Sequence, residues 1–192
     1  MGTGIAPYIS LEELEATLSA QKGHTHSLRD TTILLLSHYM GLRAKELAGL
    51  CVGDVYDPRT GEVRTSVPLR AAITKGSKFG QGYLTHKRTR ETLATYLRER
   101  GTRHLDAPLF LSQRGGFFSA NTMQRLLRIC YGRADIKASS HSGRRSFANH
   151  LIRKSVNIFD VQQLMRHSSI NTTQRYFVTS PEQLMAAVSL LE

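Results

Sequence analysis

The sequence predicts a mostly α-helical domain that carries one small antiparallel β-sheet, an α+β fold. Apolar residues recur at helical spacing through much of the chain, and capping residues precede several of these stretches. Short β-prone segments flank a glycine-rich stretch at 75–82, which is typical of a hairpin. With 192 residues, 40% of them hydrophobic, the chain is long enough for one domain with a sizeable core.

Capping residues and apolar spacing define the helices in chain order. Ser10 and Glu13 form a capping box that opens the first helix, which runs to about Gln21. The apolar run 33–36 marks a buried segment of the second helix, and Ser119 caps a later one. The predicted helices cover residues 10–21, 28–40, 42–50, 89–100, 119–132, 140–154, 158–166 and 172–178. A last short helix opens at 180, with proline at its first position.

One region of the chain predicts strands instead of helices. A turn at 57–61, which contains proline and glycine, precedes two short strands at 62–67 and 69–74. The hairpin loop at 75–82 follows, and residues 83–85 return as the next strand. We therefore expect a small antiparallel sheet that includes a glycine-rich hairpin.

The charge of the chain points to a phosphate-bearing partner. Lysine and arginine number 26 against 15 aspartate and glutamate residues, so the net charge is +11 at pH 7. Most of the basic residues are arginines, whose rigid fork of donors matches phosphate geometry. Nucleic acid is the first candidate partner and an anionic membrane surface the second. No apolar run is long enough to span a membrane, and two cysteines make no disulfide framework, so we expect a cytoplasmic protein.

Three short segments carry cationic, imidazole and phenol side chains. Arg43 and Glu46 lie one turn apart at the start of a helix, which an ordinary surface ion pair would also explain. His141 and Arg144 share a helical face and can contact the same small anion, although a solvated basic face has the same pattern. The segment 167–176 links an imidazole to a tyrosine across a turn, and a lone tyrosine is more often a packed residue.

Other kinds of catalytic site are excluded by the motifs that the sequence lacks. It has no Cys-x-x-Cys pair, no glycine-rich Walker loop and no His-Glu-x-x-His motif. Its carboxylates are too scattered to suggest a two-metal phosphodiesterase. We therefore predict neither a metal nor a cofactor.

Taken together and in this order, the three segments closely resemble the catalytic domain of the tyrosine recombinases, the phage integrase family of site-specific DNA recombinases. The resemblance runs from about Ser10 to Tyr176. It assigns the first arginine of the family to Arg43, its companion acid to Glu46, the hairpin lysine to Lys75, the His-x-x-Arg motif to His141 and Arg144, the third His/Trp position to His167 and the nucleophile to Tyr176.

Two features depart from the family pattern or leave a choice open. The family usually has glycine just before the third His/Trp position, where this chain has Arg166, so the backbone there is in question. The hairpin holds a second lysine, Lys78, which is a rival to Lys75.

The resemblance implies a recombinase that cuts and rejoins DNA through a 3′-phosphotyrosyl intermediate, without metal or ATP. It implies that Glu46 holds Arg43 or a histidine in place, and that the partners are a specific double-stranded DNA site, further copies of the chain in a tetramer, and accessory DNA-bending proteins. It also suggests a role in a mobile element. We expect DNA contacts from Lys78, Arg125, Arg128 and Arg145. Arg133 joins Arg125 and Arg128 along one possible contact helix, although a solvated face explains these arginines equally well.

The resemblance leaves the domain organisation and some alternatives open. Because the first family helix begins near Ser10, we expect 1–192 to be a single catalytic domain without the usual N-terminal core-binding domain, as a fragment or a naturally short member. The segment 180–192 is amphipathic and docks on a neighbouring subunit or packs on its own core. Three alternative functions are a type IB topoisomerase-like enzyme, a non-catalytic DNA-binding module of the same fold, and a structural basic protein.

Overall fold

The computed structural model describes residues 6–74, 76–101, 104–176, 185, 188 and 189. Helices dominate it, as the sequence predicts. The α-helices are α1 (Leu11–Ser19), α2 (Ser27–Tyr39), α3 (Ala44–Gly49), α4 (Val52–Val55), α5 (Lys87–Arg100), α6 (Ala120–Gly132), α7 (Ser142–Arg153), α8 (Ile158–Met165) and α9 (Ile170–Gln174). The chain divides into two compact units, Met1–Phe147 and Ala148–Glu192, with the boundary inside α7. No helix among the described residues has the length and apolarity to cross a membrane.

The local signals for the first two helices are confirmed. Ser10 accepts a hydrogen bond from the Glu13 N–H at 3.1 Å, and the Glu13 carboxylate accepts from the Ser10 N–H at 2.8 Å, which completes the capping box. The apolar run 33–36 of α2 is fully buried and lies at the centre of the core of the first unit. Burial of this size supplies much of the free energy that favours folding.

A buried ion pair joins α2 to the end of α6. Asp30, which is almost fully buried, accepts from Arg133 at 2.9 Å and from its neighbour Arg29, also at 2.9 Å. The guanidinium of Arg133 also donates to the side chain of Gln21, just beyond α1. These contacts offset the desolvation cost of the buried carboxylate and link α2, the end of α6 and the residues just beyond α1.

The structure corrects the predicted sheet. Instead of one sheet, the described residues form two separate two-stranded antiparallel sheets. β1 (Tyr56–Asp57) pairs with β2 (Glu62–Val63), and β3 (Ser66–Leu69) pairs with β4 (Gly80–Tyr83). The strand predicted at 69–74 is wrong beyond Leu69, because Ala71–Ile73 form a short 3-10 helix. There the buried side chain of Ile73 packs on Gly49, where a β-carbon would lie 2.3 Å from Ile73 Cγ2.

The return strand begins at Gly80 and not at residue 83, inside the stretch predicted as hairpin loop. Gly82 explains the difference. It lies so close to Met40 that a β-carbon would be 2.2 Å from the methionine Cε. Glycine therefore allows the strand to approach the end of α2, a role that sequence alone does not distinguish from loop flexibility.

The second unit contains the rest of α7 together with α8 and α9. Asn157 caps α8 by accepting from the Phe159 N–H at 2.8 Å. Val161 and Met165 are the fully buried apolar residues of α8, and Thr173 is fully buried in α9. The predicted helix at 158–166 is thus confirmed, whereas the helix predicted at 172–178 begins earlier, at Ile170.

Candidate active site

The first element of the candidate site is the loop between α2 and α3. Gly41 begins it in the left-handed region, with φ +61°, and a β-carbon at this position would lie 2.5 Å from the ring of Phe147. Only glycine satisfies both the backbone conformation and this close approach. The loop ends at Arg43, which is the N-cap residue of α3.

Glu46 anchors Arg43 through both its main chain and its side chain. The Arg43 N–H donates to Glu46 Oε2 at 2.7 Å, and Arg43 Nη1 donates to Glu46 Oε1, also at 2.7 Å. Glu46 is fully buried, and the Arg43 side chain is 19% exposed. The alternative of an ordinary surface ion pair is therefore wrong, and the contact is the one expected if Glu46 holds Arg43 in place.

Arg144 approaches the same loop from α7. It is 4% exposed, and its Nη1 donates to the main-chain oxygen of Gly41. The interpretation of this residue as part of a solvated basic face is therefore wrong. The Gly41 carbonyl is a positioning group that sequence reasoning missed, and the only signal was a glycine placed directly before the Leu-Arg pair.

His141 lies just before α7 in the first unit, and the residue as a whole is exposed. Desolvation of the ring, helped by the positive charges of Arg144 and Arg43, lowers the pKa of His141 below its ordinary value. The structure therefore brings His141, Arg43 and Arg144 into electrostatic contact, and the imidazole is neutral at physiological pH.

The hairpin lysines are placed differently. Lys75 lies outside the described residues, so its position stays a prediction. Lys78 is exposed and directly precedes the exposed Phe79 and strand β4. Lys45 of α3, which the sequence analysis did not single out, donates to the main-chain oxygen of Thr74 at 3.2 Å and so anchors the base of the hairpin.

The second unit holds the other two predicted residues. The rings of His167 and Tyr176 are nearly parallel, at 13°, with centroids 6.1 Å apart. His167 Nδ1 lies 2.9 Å from the hydroxyl oxygen of Thr173, and the Tyr176 N–H donates to the main-chain oxygen of Thr173 at 3.0 Å. The turn between α8 and α9 therefore brings an imidazole and a phenol together, with Thr173 touching both residues.

The backbone conformation of Arg166 answers the question raised by its place in the family pattern, where glycine is usual. It ends α8 in the left-handed conformation, with φ +53°, and its N–H donates to the Gln163 carbonyl at 2.9 Å. Glycine is the residue that adopts this conformation most easily. The backbone shape typical of glycine is thus kept, with an arginine in it.

The residues predicted to contact DNA lie on different elements of the first unit. Arg125 and Arg128 are exposed one turn apart on α6. Arg145 on α7 is only half-buried and makes further interactions within the protein. Among the described residues, no three His, Cys, Asp or Glu side chains converge in a manner that would hold a metal ion.

This fold is that of a recombinase catalytic domain. Over its whole length the chain superposes on 66% of the crystal structure of XerA recombinase, with a TM-score of 0.77 and 25% sequence identity. It also superposes, with a TM-score of 0.73 and 21% identity, on 56% of XerH site-specific recombinase bound to difH substrate, a likeness that concerns the fold alone.

The chain belongs to the phage integrase family, whose sequence model matches residues 7–183. It is 36% identical over 166 residues to tyrosine recombinase XerC of Myxococcus xanthus, covering 82% of this chain and 52% of that protein. It is 36% identical over 157 residues to tyrosine recombinase XerD of Corynebacterium glutamicum, covering 78% of this chain and 48% of that protein. The chain thus spans about half the length of these curated relatives.

Proposed function

We propose that this chain is the catalytic part of a site-specific DNA recombinase that cuts and rejoins DNA strands through a 3′-phosphotyrosyl intermediate at Tyr176. One observation carries the proposal: Arg144 donates a hydrogen bond to the loop that ends at Arg43, a buried carboxylate anchors Arg43, and both guanidinium charges help to lower the pKa of His141. Membership of the phage integrase family and the names of the relatives as tyrosine recombinases support it. Two proteins of the same fold are bound to substrates of this kind: XerH site-specific recombinase to difH substrate, and the Tn1549 transposon integrase to a circular intermediate DNA.

The two arginines suit the charge that develops in phosphoryl transfer. Negative charge builds on the non-bridging oxygens of the scissile phosphate, and preorganised donors stabilise it without reorganising during the reaction. Arg43 and Arg144 each present a guanidinium whose orientation is held by protein contacts. Removal of one such donor typically costs about 10²–10³-fold in rate. In this proposal the reaction requires neither metal nor ATP.

Proton transfers complete the reaction. The phenol oxygen of Tyr176 forms a bond to phosphorus while the bond from phosphorus to the 5′-oxygen breaks. The phenol loses its proton, which the neutral ring of His141 accepts, and the leaving 5′-oxygen gains one. We assign that second transfer to Lys75, with Lys78 as the alternative. General acid–base help of this kind is typically worth about 10²–10⁴-fold.

The covalent link keeps the free energy of the broken phosphodiester bond. A 5′-hydroxyl from another strand can therefore attack it, which joins strands in a new combination and releases Tyr176. His167 donates a hydrogen bond to the phosphate in this proposal, and Glu46 positions Arg43.

The net charge of +11 and the exposed cations favour DNA as the partner. We assign phosphate contacts to Lys78, Arg125, Arg128 and Arg145, three of them on helices. We further propose that the chain assembles into a tetramer on two DNA sites and works with accessory DNA-bending proteins. In this proposal it acts on DNA in the cytoplasm and belongs to a mobile element. That residues 1–192 act as one catalytic domain stays a prediction. The docking of 180–192 on a neighbouring subunit also stays a prediction, since most of this segment lies outside the described residues.

A covalent trapping assay tests the proposal without knowledge of the DNA site. Nicked suicide duplexes with a randomised central segment are mixed with the protein in the presence of EDTA. A nick close to the cleavage point lets the released fragment diffuse away, so the tyrosine-linked strand accumulates. Adducts that survive denaturation are isolated, sequenced to find the site, and digested to identify the linked peptide.

Two tyrosine variants make the result specific. Tyr176→Phe should abolish the adduct, whereas Tyr83→Phe, which changes an exposed tyrosine of β4, should leave it intact. If the wild-type protein binds DNA but forms no adduct on any site, the non-catalytic DNA-binding module is the better explanation. If it relaxes supercoiled DNA but exchanges no strands, the topoisomerase-like alternative is correct.

A further inference from the structure

We infer that Thr173 is a positioning residue, whose hydroxyl donates a hydrogen bond to Nδ1 of His167 and so keeps the imidazole proton on Nε2. The inference rests on the proposed function, in which His167 donates to the scissile phosphate. It names a residue that supports that donor without touching DNA itself.

The contact between the two side chains is direct and protected. Thr173 Oγ1 lies 2.9 Å from His167 Nδ1, which is an ordinary length for a hydrogen bond between a hydroxyl and a ring nitrogen. Thr173 is fully buried in α9, so water does not compete for its hydroxyl. The adjacent residue in the same helix, Thr172, is exposed. The chain therefore places one of two neighbouring threonines against the imidazole and turns the other to solvent.

The main chain of His167 is held independently of its ring. Its N–H donates to the Gln162 carbonyl at 3.1 Å, and its carbonyl accepts from Gln162 Nε2 at 3.2 Å. These bonds fasten the residue to α8 but leave rotation about the side-chain torsions. The hydrogen bond from Thr173 in α9 restrains the ring from the other helix of this turn.

The tautomer matters because a neutral imidazole has one N–H donor and one acceptor. A phosphate oxygen needs the donor. If Nδ1 accepts from Thr173, the proton is on Nε2, which is the nitrogen that points away from the threonine. Groups that hydrogen-bond one nitrogen of a functional histidine commonly set the state of the other in this way.

Thr173 also touches the residue proposed as the nucleophile. Its main-chain oxygen accepts from the Tyr176 N–H at 3.0 Å, and the rings of His167 and Tyr176 lie nearly parallel. The Thr173 side chain thus positions the imidazole of His167, and the Thr173 carbonyl holds the main chain of Tyr176. Because a side-chain substitution leaves the carbonyl in place, the two roles are separable.

The kinetic test compares three variants in single-turnover trapping on a saturating suicide substrate. Thr173→Val keeps the shape of the side chain and removes the hydroxyl, and we expect adduct formation to slow by about 10–100-fold. Thr173→Ser restores the hydroxyl and should recover most of the rate. Thr172→Val makes the same chemical change at the exposed neighbour and should leave the rate nearly unchanged. Equal rates for wild type and Thr173→Val would overturn the inference.

A spectroscopic test does not require DNA at all. Long-range ¹H–¹⁵N correlation spectra of the histidine-labelled protein report which ring nitrogen carries the proton, and the signal that His167→Gln removes identifies the residue. We expect the Nε2–H form in the wild type and in Thr173→Ser, and a mixture of tautomers in Thr173→Val. An Nδ1–H form in the wild type would overturn the inference even if Thr173→Val slowed the reaction.

These two tests separate the inference from its premise. A wild-type protein that forms no adduct contradicts the proposed function, while the spectra still decide whether Thr173 sets the tautomer. If Thr173→Val is unstable and Thr173→Ser is as slow as the valine variant, with an unchanged tautomer, the threonine has a packing role only and the inference is wrong.

Discussion

Substitution of Glu46 tests whether a buried carboxylate anchors the first arginine of the site. Glu46→Gln keeps the size and shape of the side chain but removes its charge, and Glu46→Ala removes both acceptor oxygens. Both variants act on the two hydrogen bonds that the carboxylate accepts from Arg43, each 2.7 Å long. We expect both to lower the free energy of unfolding, with the alanine variant the more severe.

The magnitude follows from burial and charge. A hydrogen bond to a charged group contributes about 1.5–3 kcal/mol to stability. Glutamine keeps one acceptor oxygen, so its net cost should be about 2 kcal/mol, which corresponds to a fall in Tm of about 4–8 °C for a chain of this size. Alanine leaves the main-chain N–H and the guanidinium of Arg43 without this partner, and breaking a buried pair in this way costs about 3–5 kcal/mol.

The assay is denaturant unfolding followed by circular dichroism, with covalent trapping measured in parallel. Glu91→Gln is the matched control, because Glu91 forms an exposed ion pair with Lys87 at 4.0 Å, and exposed pairs contribute about 0–1 kcal/mol. In trapping, Glu46→Gln should slow adduct formation by about 10–100-fold, since Arg43 loses the group that orients it.

The opposite result would be an equal free energy of unfolding for Glu46→Gln and Glu91→Gln. That result would mean that the buried carboxylate makes no greater net contribution than an exposed one. If the stability falls as expected but trapping is unchanged, the carboxylate stabilises the fold and has no part in positioning Arg43 for the reaction.

Four further predictions concern the loop, the end of α8 and, in two cases, the imidazole. Gly41→Ala should lower the free energy of unfolding by about 2–4 kcal/mol, because its β-carbon would meet the Phe147 ring from a left-handed backbone; a denaturant midpoint equal to the wild type would contradict this. Arg166→Gly should raise the free energy of unfolding by up to about 1 kcal/mol in the same assay, since glycine adopts φ +53° without strain, and a loss of stability would show that the arginine contacts outweigh the strain. Because the pKa of His141 is lowered, the trapping rate should rise with pH through a midpoint below about 6.5, as the ring loses its proton and becomes able to accept one from the phenol. His141→Gln should remove this rise of the rate with pH. The same lowered pKa means that the unfolded chain binds more protons than the folded one, so the contribution of His141 to stability falls as the pH drops below about 6.5.

Local patterns predicted the helices well because their physical causes are local. The capping box at Ser10 and the apolar run at 33–36 are patterns of residues within a few positions of each other. The i, i+3 spacing of Arg43 and Glu46 likewise predicted the contact between their side chains. Where a signal is ambiguous, the prediction was wrong: the glycines at 80 and 82 indicated a loop, but both lie in strand β4, and Gly82 packs closely on Met40 at the end of α2.

The candidate site was predicted as a set of residues, not as an arrangement. Each segment had a solvated or packed alternative, and the choice depended on burial, which the sequence does not report. Arg144 is buried because its guanidinium reaches the Gly41 carbonyl, 103 positions earlier in the chain. Thr173 is buried whereas Thr172 is exposed, although the two residues are chemically the same. Neither fact follows from local pattern.

The helical class, the basic character, the family and the identities of the reactive side chains follow from the amino-acid sequence, because they depend on residue type and on short spacings. The folded arrangement was needed to show that Glu46 is fully buried, that the Gly41 carbonyl accepts from Arg144, and that Arg166 has a left-handed backbone. The physical reason is that desolvation and hydrogen-bond geometry arise between segments distant in the chain. Such contacts exist only when the folded chain brings those segments within a few ångströms of each other.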